Sequence, residues 1–221
     1  MDLVEAIKAR KSIRMYKPDP VPRKVLKEIL DIAVRAPSSM NTQPWEFTVI
    51  AGEVLEKIKR ANVEMLDSGA TPTPDWSSKP FEGDYRQRQV DLAIELFRLM
   101  GIAREDKEKR AAWTRRGYRF FDAPAAIIIS IDRSLDQGRP QLDIGAITQT
   151  IALAALNYGL GTCIQGQGIF FSQVVRKYAG IPESKRMVIC ITIGYPDWSF
   201  PANEIETKRV PTDSITTWCG I

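Results

Sequence analysis

Two apolar runs restrict the fold of this chain more than any other feature. Residues 123–131 are apolar at all but one position, and residues 187–193 repeat that character with a single threonine. A strand that faces water on one side alternates polar and apolar residues, whereas a strand covered on both sides is apolar throughout. Both runs are therefore predicted to be central strands, buried on both faces of a sheet.

Weaker patterns predict the elements around these strands. Residues 46–51 and 162–165 are predicted as further strands, the second of them short. Apolar residues recur at helical spacing elsewhere and predict helices at residues 2–10, 25–33, 54–66, 93–100, 105–116, 144–158 and 172–178. Ser172 is a suitable N-cap for the last helix, and Gly159-Leu160-Gly161 is a typical end for the one before it.

Two segments do not fit this regular pattern. Residues 68–89 hold three prolines and no apolar period, so they are predicted as a long loop that is functional or mobile. With the helices that follow, residues 68–116 are interpreted as a lid-like insertion in a single domain of residues 1–221. The tail from residue 195 carries prolines and two tryptophans, and we expect it to pack on another surface, for which a second subunit is a good candidate.

An irregular, polar segment joins one of the helices to a strand. Residues 36–45 contain two prolines, two serines, an asparagine, a threonine and a glutamine. Each proline biases the residue before it away from helical geometry, and serine and asparagine side chains bond to nearby backbone. The segment is therefore expected to be a fixed loop, which fits either a ligand-binding element or a polar connector.

A basic cluster follows the first helix. Arg10, Lys11, Ser12 and Arg14 place guanidinium, ammonium and hydroxyl donors within five residues, a set that suits a phosphate. The same residues also fit a solvated helix end, where cations interact favourably with the helix dipole. Both interpretations stay open at this point.

Two further groups suit the same kind of ligand. Lys208 and Arg209 add cations in the tail, although basic pairs are also common on protein surfaces. Gly166-Gln167-Gly168 follows a short strand and lets backbone N–H groups approach a ligand closely. Neither this run nor Gly159-Leu160-Gly161 completes a dinucleotide-binding fingerprint, because each lacks the third glycine and neither opens a helix of a βαβ unit.

Composition excludes several kinds of chemistry. The chain contains no histidine, which removes Ser-His-Asp and Cys-His catalysis, histidine-based zinc sites and the commonest general base. Any enzymatic reaction is therefore expected to depend on a cofactor or a carboxylate, and no metal site is expected. The net charge is +4 and the charges are interspersed, which argues against a nucleic-acid partner.

Cysteines and hydropathy indicate where the protein is expected to work. Three widely separated cysteines, Cys163, Cys190 and Cys219, follow no leading signal segment, so reduced thiols and a cytoplasmic location are expected. No apolar run approaches the roughly 20 residues that a membrane helix needs, so no membrane partner is expected.

Five motifs in chain order carry a resemblance. They are Arg10-Lys11-Ser12-Ile13-Arg14, Ala36-Pro37-Ser38-Ser39-Met40-Asn41-Thr42-Gln43-Pro44-Trp45, Phe121-Asp122-Ala123-Pro124, Gly159-Leu160-Gly161-Thr162-Cys163 with Gln165-Gly166, and Arg209-Val210-Pro211. Together, over almost the whole chain, they resemble the FMN-dependent nitroreductase family. The second motif is the most specific, and each of the others is weak when taken alone.

The resemblance implies an α+β fold of three layers, with a mostly antiparallel central sheet flanked by helices. It also implies an obligate homodimer in which residues 195–221 form an arm that wraps onto the partner, with two FMN molecules in the interface. By position, the implied cofactor-binding residues are Arg10, Lys11, Ser12, Arg14, Gln165, Gly166, Lys208 and Arg209, with Pro37, Ser38, Ser39, Met40 and Asn41 from the other subunit. Gln165 and Gly166 would present backbone N–H groups to the reactive edge of the flavin.

The implied activity is ping-pong hydride transfer from NAD(P)H through FMN to nitroaromatics, quinones or similar flat acceptors. The flavin then carries the chemistry and no side chain is assigned as catalytic, in agreement with the missing histidines. Alternatives with the same fold are enone reduction, dehalogenation and flavin fragmentation. Alternatives of another class are a flavin-binding protein without efficient turnover and a basic interaction module.

Four residues near the insertion belong to this interpretation with less support. Trp76, Tyr85 and Trp113 are candidates for a lid over the substrate, although they fit equally well as ordinary packing residues. Gly117 departs from the family pattern, in which many relatives have asparagine before the Tyr-x-Phe-Phe run. A flavin hydrogen bond is therefore expected to be missing here or to be supplied by another group.

Overall fold

A central antiparallel sheet organises the chain. In the computed structural model, which describes residues 2–77, 79–135 and 138–221, the sheet formed by these described residues has four strands. They are β1 (Glu46–Ala51), β2 (Ala125–Asp132), β3 (Gly161–Gln165) and β4 (Lys185–Gly194), in the spatial order β1-β2-β4-β3. The two predicted central strands are confirmed, because β2 and β4 lie side by side in the middle of the sheet.

Successive residues of β2 pack against opposite layers, as the two-residue period of a strand requires. Ile127 and Ile129 belong to the apolar cluster on one face, whereas Ala126 and Ile128 belong to the cluster on the other. All four side chains are fully buried. Both faces of the sheet are covered, which is why this run shows no polar alternation.

Helices form the two outer layers. The helices of the described residues are α1 (Leu3–Ala9), α2 (Arg23–Ala33), α3 (Gly52–Asp67), α4 (Gly83–Leu99), α5 (Lys107–Tyr118), α6 (Arg139–Leu156) and α7 (Ser172–Ala179). Side chains of α2 and α6 pack in the first cluster, and side chains of α3 and α7 pack in the second. The predicted three-layer α+β fold is confirmed. None of these described helices combines the length and the apolar character that a membrane crossing requires.

The predicted loop at residues 68–89 is wrong in its second part, because α4 begins at Gly83. Residue 78 of this loop lies outside the described residues. The first two turns of α4 are strongly polar, and Leu96 is the one buried residue of this fully described helix. A helix that buries so little surface has a weak apolar period, so periodicity found only its C-terminal half.

Two helix starts also differ from the prediction. α6 begins at Arg139 rather than at residue 144, with Pro140 in its first turn, where a missing N–H is tolerated. α7 begins at Ser172 itself, so the prediction of Ser172 as N-cap is wrong. Its hydroxyl donates to the Thr73 carbonyl oxygen at 2.7 Å, and this bond to another segment replaces the bond to its own helix.

The tail has two parts with different environments. Ala202 and Ile205 are buried against Leu96 of α4, with Phe200 packed beside them. Beyond residue 205 the chain is largely exposed, and Trp218 is 66% exposed. The first part therefore belongs to the body of its own protomer, whereas the second part leaves apolar side chains uncovered.

Candidate functional site

The basic cluster lies along an outer edge of the sheet. α1 ends at Ala9, and the residues that follow run beside β3, where the Ile13 N–H donates to the Thr162 carbonyl oxygen at 2.9 Å. Ser12 and Thr162 form a parallel bridge at the same place. Backbone bonds to the sheet therefore fix the cluster, which a simple solvated helix end would not require.

One buried thiol of β3 lies beside the basic cluster. Cys163 is 4% exposed, and burial raises the pKa of its thiol. The charge of Arg14, a hydrogen bond with Ser12 and the charge of Arg10 all oppose this rise in pKa. The bridge between Ser12 and Thr162 places the cluster beside this residue of β3. The thiol stays neutral near pH 7, and the positive field remains available for an anion.

The tail closes one side of the cluster. The Arg14 N–H donates to Asn203 Oδ1 at 2.6 Å, and Lys11 Nζ donates to the Glu204 carbonyl oxygen at 3.4 Å. The Asn203 side chain is fully buried, whereas the contact of Lys11 is exposed. The cluster is thus held between β3 and the residues that follow β4.

Lys208 and Arg209 lie further along the tail, and both are exposed. Arg209 Nη1 donates to Thr207 Oγ1 at 2.6 Å, a bond within the same segment. With part of α4, these residues line a groove of about 800 Å³. Among the described residues, no hydrogen bond joins Lys208 or Arg209 to the basic cluster.

The turn that follows β3 carries an unsatisfied donor. Gln165 is 8% exposed, and its Oε1 accepts a hydrogen bond from the Gly168 N–H at 2.9 Å. Its Nε2 is buried and has no partner among the described residues. At Gly166 a β-carbon would lie 2.8 Å from the Phe170 ring, so a larger residue would require a shift. A buried donor without a partner is costly, and a bound acceptor is one way to satisfy it.

Gly117 leaves room for the side chain of Gln167. A β-carbon at Gly117 would lie 2.0 Å from Gln167 Oε1. Gln167 therefore occupies the space that a side chain at position 117 would enter, beside the turn of Gln165 and Gly166. The amide of Gln167 therefore lies close to the position where the resemblance led us to expect an asparagine amide.

Residues 36–45 form a fixed, irregular loop, as predicted. Within it a short 3₁₀ turn, Ser39–Asn41, precedes Gln43, whose N–H donates to Ser38 Oγ at 3.0 Å. The φ angles of Met40 and Gln43 are positive, at 50° and 47°. Met40 is 92% exposed. Pro37, Ser39 and Asn41 are exposed as well, and Ser38 is half-buried. The loop has a defined backbone but leaves its tip uncovered.

This loop and the basic cluster lie at opposite edges of the sheet. The loop leads into β1, the cluster runs outside β3, and β2 and β4 separate those two strands. At about 4.8 Å per strand, four spacings place the two segments roughly 19 Å apart across the sheet. A single protomer therefore does not bring the two predicted groups of binding residues together.

The three aromatic candidates have three different environments. Trp76 is half-buried against the core, with the Arg186 guanidinium 5.8 Å from its ring centre. Tyr85 is 68% exposed on α4. Trp113 packs edge to face against Phe97 at 6.4 Å, within the small apolar cluster formed with the tail. The described residues thus do not gather these rings around one cavity, and Trp113 has the environment of a packing residue.

Sequence reasoning missed three side chains that support these segments. Asp143 of α6 accepts a hydrogen bond from the Ser39 N–H at 3.1 Å, and Arg116 and Asn203 both bond to the backbone of Arg14. Asp143 had a detectable signal, since it is a carboxylate at the start of a strongly apolar helix. Arg116 and Asn203 had no such signal, because nothing in their spacing distinguishes them from surface residues. No group of side chains in the described part of the chain is suited to hold a metal ion.

Comparisons with known proteins give one consistent result. The sequence pattern of the nitroreductase family matches residues 7–195. Nitrobenzene nitroreductase from Ectopseudomonas oleovorans is 33% identical over 220 residues, which cover 97% of this chain and 95% of that protein. 4-nitrobenzoate reductase from Nocardioides sp. (strain LMS-CY) is 31% identical over 217 residues, which cover 96% and 87%.

Solved structures agree with the sequence comparisons. The FMN and NADPH-dependent nitroreductase NfnB from sphigopyxis sp. strain HMH is 29% identical and superimposes with a TM-score of 0.95, over 100% of both chains. The FMN-dependent nitroreductase NfnB from Mycobacterium smegmatis, in complex with NADPH, is 27% identical with a TM-score of 0.91, over 99% of this chain and 100% of that one. The fold of this chain is therefore similar to theirs throughout its length.

Proposed function

The chain belongs to the nitroreductase family, and we propose that it is an FMN-dependent oxidoreductase that uses NAD(P)H to reduce nitroaromatics, quinones or similar flat acceptors. The relatives named for reduction of nitrobenzene and 4-nitrobenzoate support this substrate class. The similar structures named for FMN and NADPH support the cofactors.

The residues present fit a flavin mononucleotide. Arg10, Ser12 and Arg14 offer charged and neutral donors for a phosphate at one sheet edge. In the turn after β3, the orphaned Gln165 Nε2 offers a buried donor, and Gly166 permits close backbone approach. This pairing of a basic sheet edge with an unsatisfied donor in the next turn is the observation that carries the proposal.

We propose that the site is completed by a second copy of the chain. In one protomer the loop of residues 36–45 and the basic cluster lie at opposite sheet edges, so a partner is required to place Pro37, Ser38, Ser39, Met40 and Asn41 beside a flavin held by the cluster. Exposed apolar residues support dimerisation: Leu3 and Ile7 of α1 are 69% and 51% exposed, and Leu142 of α6 is 80% exposed. A stable soluble chain is expected to cover such a surface.

The arm that wraps onto the partner is proposed to be the second part of the tail. Residues 195–205 contribute to the protomer's own core, which leaves residues 206–221 for the exchange. Ile215, Trp218 and Ile221 are 69%, 66% and 94% exposed, so they are suitable anchors. Lys208 and Arg209 at its start would add cations to the phosphate site once the arm is in place.

The protein binds and orients the cofactor and the substrates, and FMN, when bound, supplies hydride transfer from the nicotinamide to the acceptor. The basic cluster holds the phosphate, and Gln165 and Gly166 donate hydrogen bonds to the flavin ring. The partner's loop covers the ring and excludes water. Residues 68–116 are proposed to form a lid in the single domain of residues 1–221, and Tyr85 is the exposed aromatic residue among the three candidates.

Spectroscopy of the purified protein tests the proposal. We expect a yellow protein, or one that turns yellow with added FMN, whose flavin absorbance is bleached by NADH or NADPH without oxygen. Nitrobenzene or a benzoquinone should then restore the absorbance. Faster reoxidation by an enone or a halogenated phenol would support one of the other reactions of this fold. A colourless protein that does not bind FMN would contradict the proposal entirely.

A further inference from the structure

The peptide groups of Arg14 are held by side chains from two distant parts of the chain. The Arg14 N–H donates to Asn203 Oδ1 at 2.6 Å. The Arg14 carbonyl oxygen accepts a hydrogen bond from Arg116 Nη2 at 2.8 Å. Arg14 lies in neither a helix nor a strand. These two side-chain bonds therefore satisfy the N–H and carbonyl groups of Arg14, which backbone bonds satisfy in regular secondary structure.

Asn203 uses both ends of its amide in this contact. Its Nδ2 donates to the Met15 carbonyl oxygen and to the Asp197 carbonyl oxygen, both at 2.8 Å. The side chain is fully buried. Only an amide of this length offers one acceptor to Arg14 and donors to the next residue and to the tail at once. Asn203 therefore fixes both the position and the direction of the chain at residues 14–15.

Arg116, a residue of α5, contacts the same segment. Its side chain is 17% exposed and lies 4.6 Å from the ring centre of Phe200. Besides Arg14, its guanidinium contacts the Met15 sulfur at 3.2 Å and Asp122 Oδ2 at 3.2 Å. The planar fork of an arginine suits such simultaneous contacts. Arg116 thus connects α5 to the basic cluster.

We infer that Asn203 and Arg116 are positioning residues for the phosphate site: by clamping the Arg14 peptide they direct its guanidinium towards the donors of Arg10 and Ser12. This inference rests on the proposed function, because it assumes that the cluster binds the phosphate of FMN. The Arg14 side chain supports it, since its Nη1 donates to the Ser12 carbonyl oxygen at 3.2 Å and is already turned along the cluster.

The physical consequence concerns preorganisation. A guanidinium on a fixed backbone meets the phosphate without further ordering, whereas one on a loose segment must be ordered during binding, which weakens affinity. Loss of the clamp should therefore reduce FMN affinity through Arg14 specifically. A merely structural role would instead lower stability and leave the affinity of the folded protein unchanged.

A double-mutant cycle on the full-length protein separates these roles. FMN dissociation constants are measured by quenching of flavin fluorescence, and thermal midpoints of the apo proteins are measured in parallel. We expect Asn203→Ala to weaken FMN binding by about tenfold. Loss of a residue that orients a metal ligand weakens metal binding by a similar factor. In the Arg14→Ala background, Asn203→Ala should raise the FMN dissociation constant by less than about twofold, because the effects of coupled residues are not additive.

Further variants keep the test decisive if Asn203→Ala folds poorly. Arg116→Lys preserves the charge but loses the fork, so weaker FMN binding by this variant reports geometry rather than net charge. Leu55→Ala is the matched control, because Leu55 is buried in the other apolar cluster and should lower stability without changing FMN affinity. FMN binding by Asn203→Ala and Arg116→Lys equal to that of the wild type, or full additivity with Arg14→Ala, would overturn the inference. Failure of the wild type itself to bind FMN would overturn the proposed function as well.

Discussion

The Ser39 N–H donates to Asp143 Oδ1 over 3.1 Å, which fastens the irregular loop to helix α6. Asp143 is 5% exposed, whereas Ser39 is exposed, so the bond joins the protein interior to a surface loop. Three residues of this loop have positive φ angles, a backbone that persists only when its surroundings hold it. The bond between Ser39 and Asp143 is one of the contacts that do so.

Asp143→Ala should loosen the loop. We expect a loss of about 0.5–1.5 kcal/mol in the free energy of unfolding, because a partly buried hydrogen bond is removed. FMN affinity should fall as well, since the loop is proposed to cover the flavin of the partner. Asp143→Asn keeps an acceptor oxygen and is the matched control. Equal FMN binding by Asp143→Ala and the wild type would show that the loop does not depend on this bond.

Arg10→Ala should weaken FMN retention far more than it changes folding. Arg10 is one of the cations around β3, and its loss removes a charge-assisted bond to phosphate. We expect the dissociation constant of FMN to rise about 10- to 100-fold, as a bond to a charged group contributes about 1.5–3 kcal/mol. Lys24→Ala removes an exposed charge from α2 and is the control. Unchanged FMN affinity in Arg10→Ala would refute the phosphate assignment.

Two glycine substitutions that add the same methyl group should differ in their effect on stability. At Gly117 the new carbon meets the flexible end of Gln167, so the free energy of unfolding should change by no more than about 1 kcal/mol. At Gly168 it would lie 2.6 Å from the fully buried ring of Phe120, so Gly168→Ala should cost about 1–3 kcal/mol.

The flavin provides a second readout for this pair. Gly117→Ala displaces the Gln167 amide beside Gln165 and Gly166, so it should shift the absorption maximum or the midpoint potential of bound FMN. Denaturant unfolding and visible spectra of the two variants check both statements. A Gly117→Ala protein whose flavin spectrum and potential match the wild type would show that Gln167 does not influence the flavin.

Stability should fall as the pH rises above about 9. Burial raises the pKa of the Tyr16 hydroxyl well above its ordinary value of 10.0, and burial raises the pKa of Cys163 and Cys190 above 9.0. Above these ordinary values the unfolded chain releases protons that the folded protein still holds, so alkaline pH favours unfolding. The stabilisation is complete below about pH 9 and decreases as the pH rises further.

Urea unfolding of the apo protein at pH 8 and pH 10.5 measures this effect. Tyr16→Phe removes one of the three groups and also the hydrogen bond to Thr192 Oγ1 at 2.7 Å. The variant should be less stable at pH 8 but should lose less stability between the two pH values. An equal or steeper loss in Tyr16→Phe would contradict the assignment to Tyr16.

The sheet was predictable because burial on both faces leaves a direct trace in sequence. β2 and β4 are covered on both sides, so their runs are apolar except for Ser130 and Thr192. The start of α4 left no such trace, since this helix buries Leu96 and little else along its described length. The prediction for Ser172 failed because a serine near the start of a helix suggests an N-cap whatever its hydroxyl contacts. Here the hydroxyl donates to Thr73.

The candidate site residues could be selected from the sequence, but their arrangement could not. The basic cluster and the polar loop each have a chemical signature, whereas strand order decides that they lie at opposite edges of the sheet. The supporting contacts of Asn203, Arg116 and Asp143 connect residues that are far apart in sequence. No local pattern encodes such contacts, and the similarity to a family identified only the residues of its motifs.

Mixed dimers test most directly the central claim that each flavin site combines the basic cluster of one subunit with the loop of its partner. One differently tagged chain carries Arg10→Ala with Arg14→Ala, and the other carries Asp143→Ala with Ser38→Ala. Both homodimers should bind FMN weakly, but the purified heterodimer should contain one undamaged site and bind one FMN per dimer with wild-type affinity. A heterodimer without a tight site would contradict the account, because each site would then be built within a single subunit.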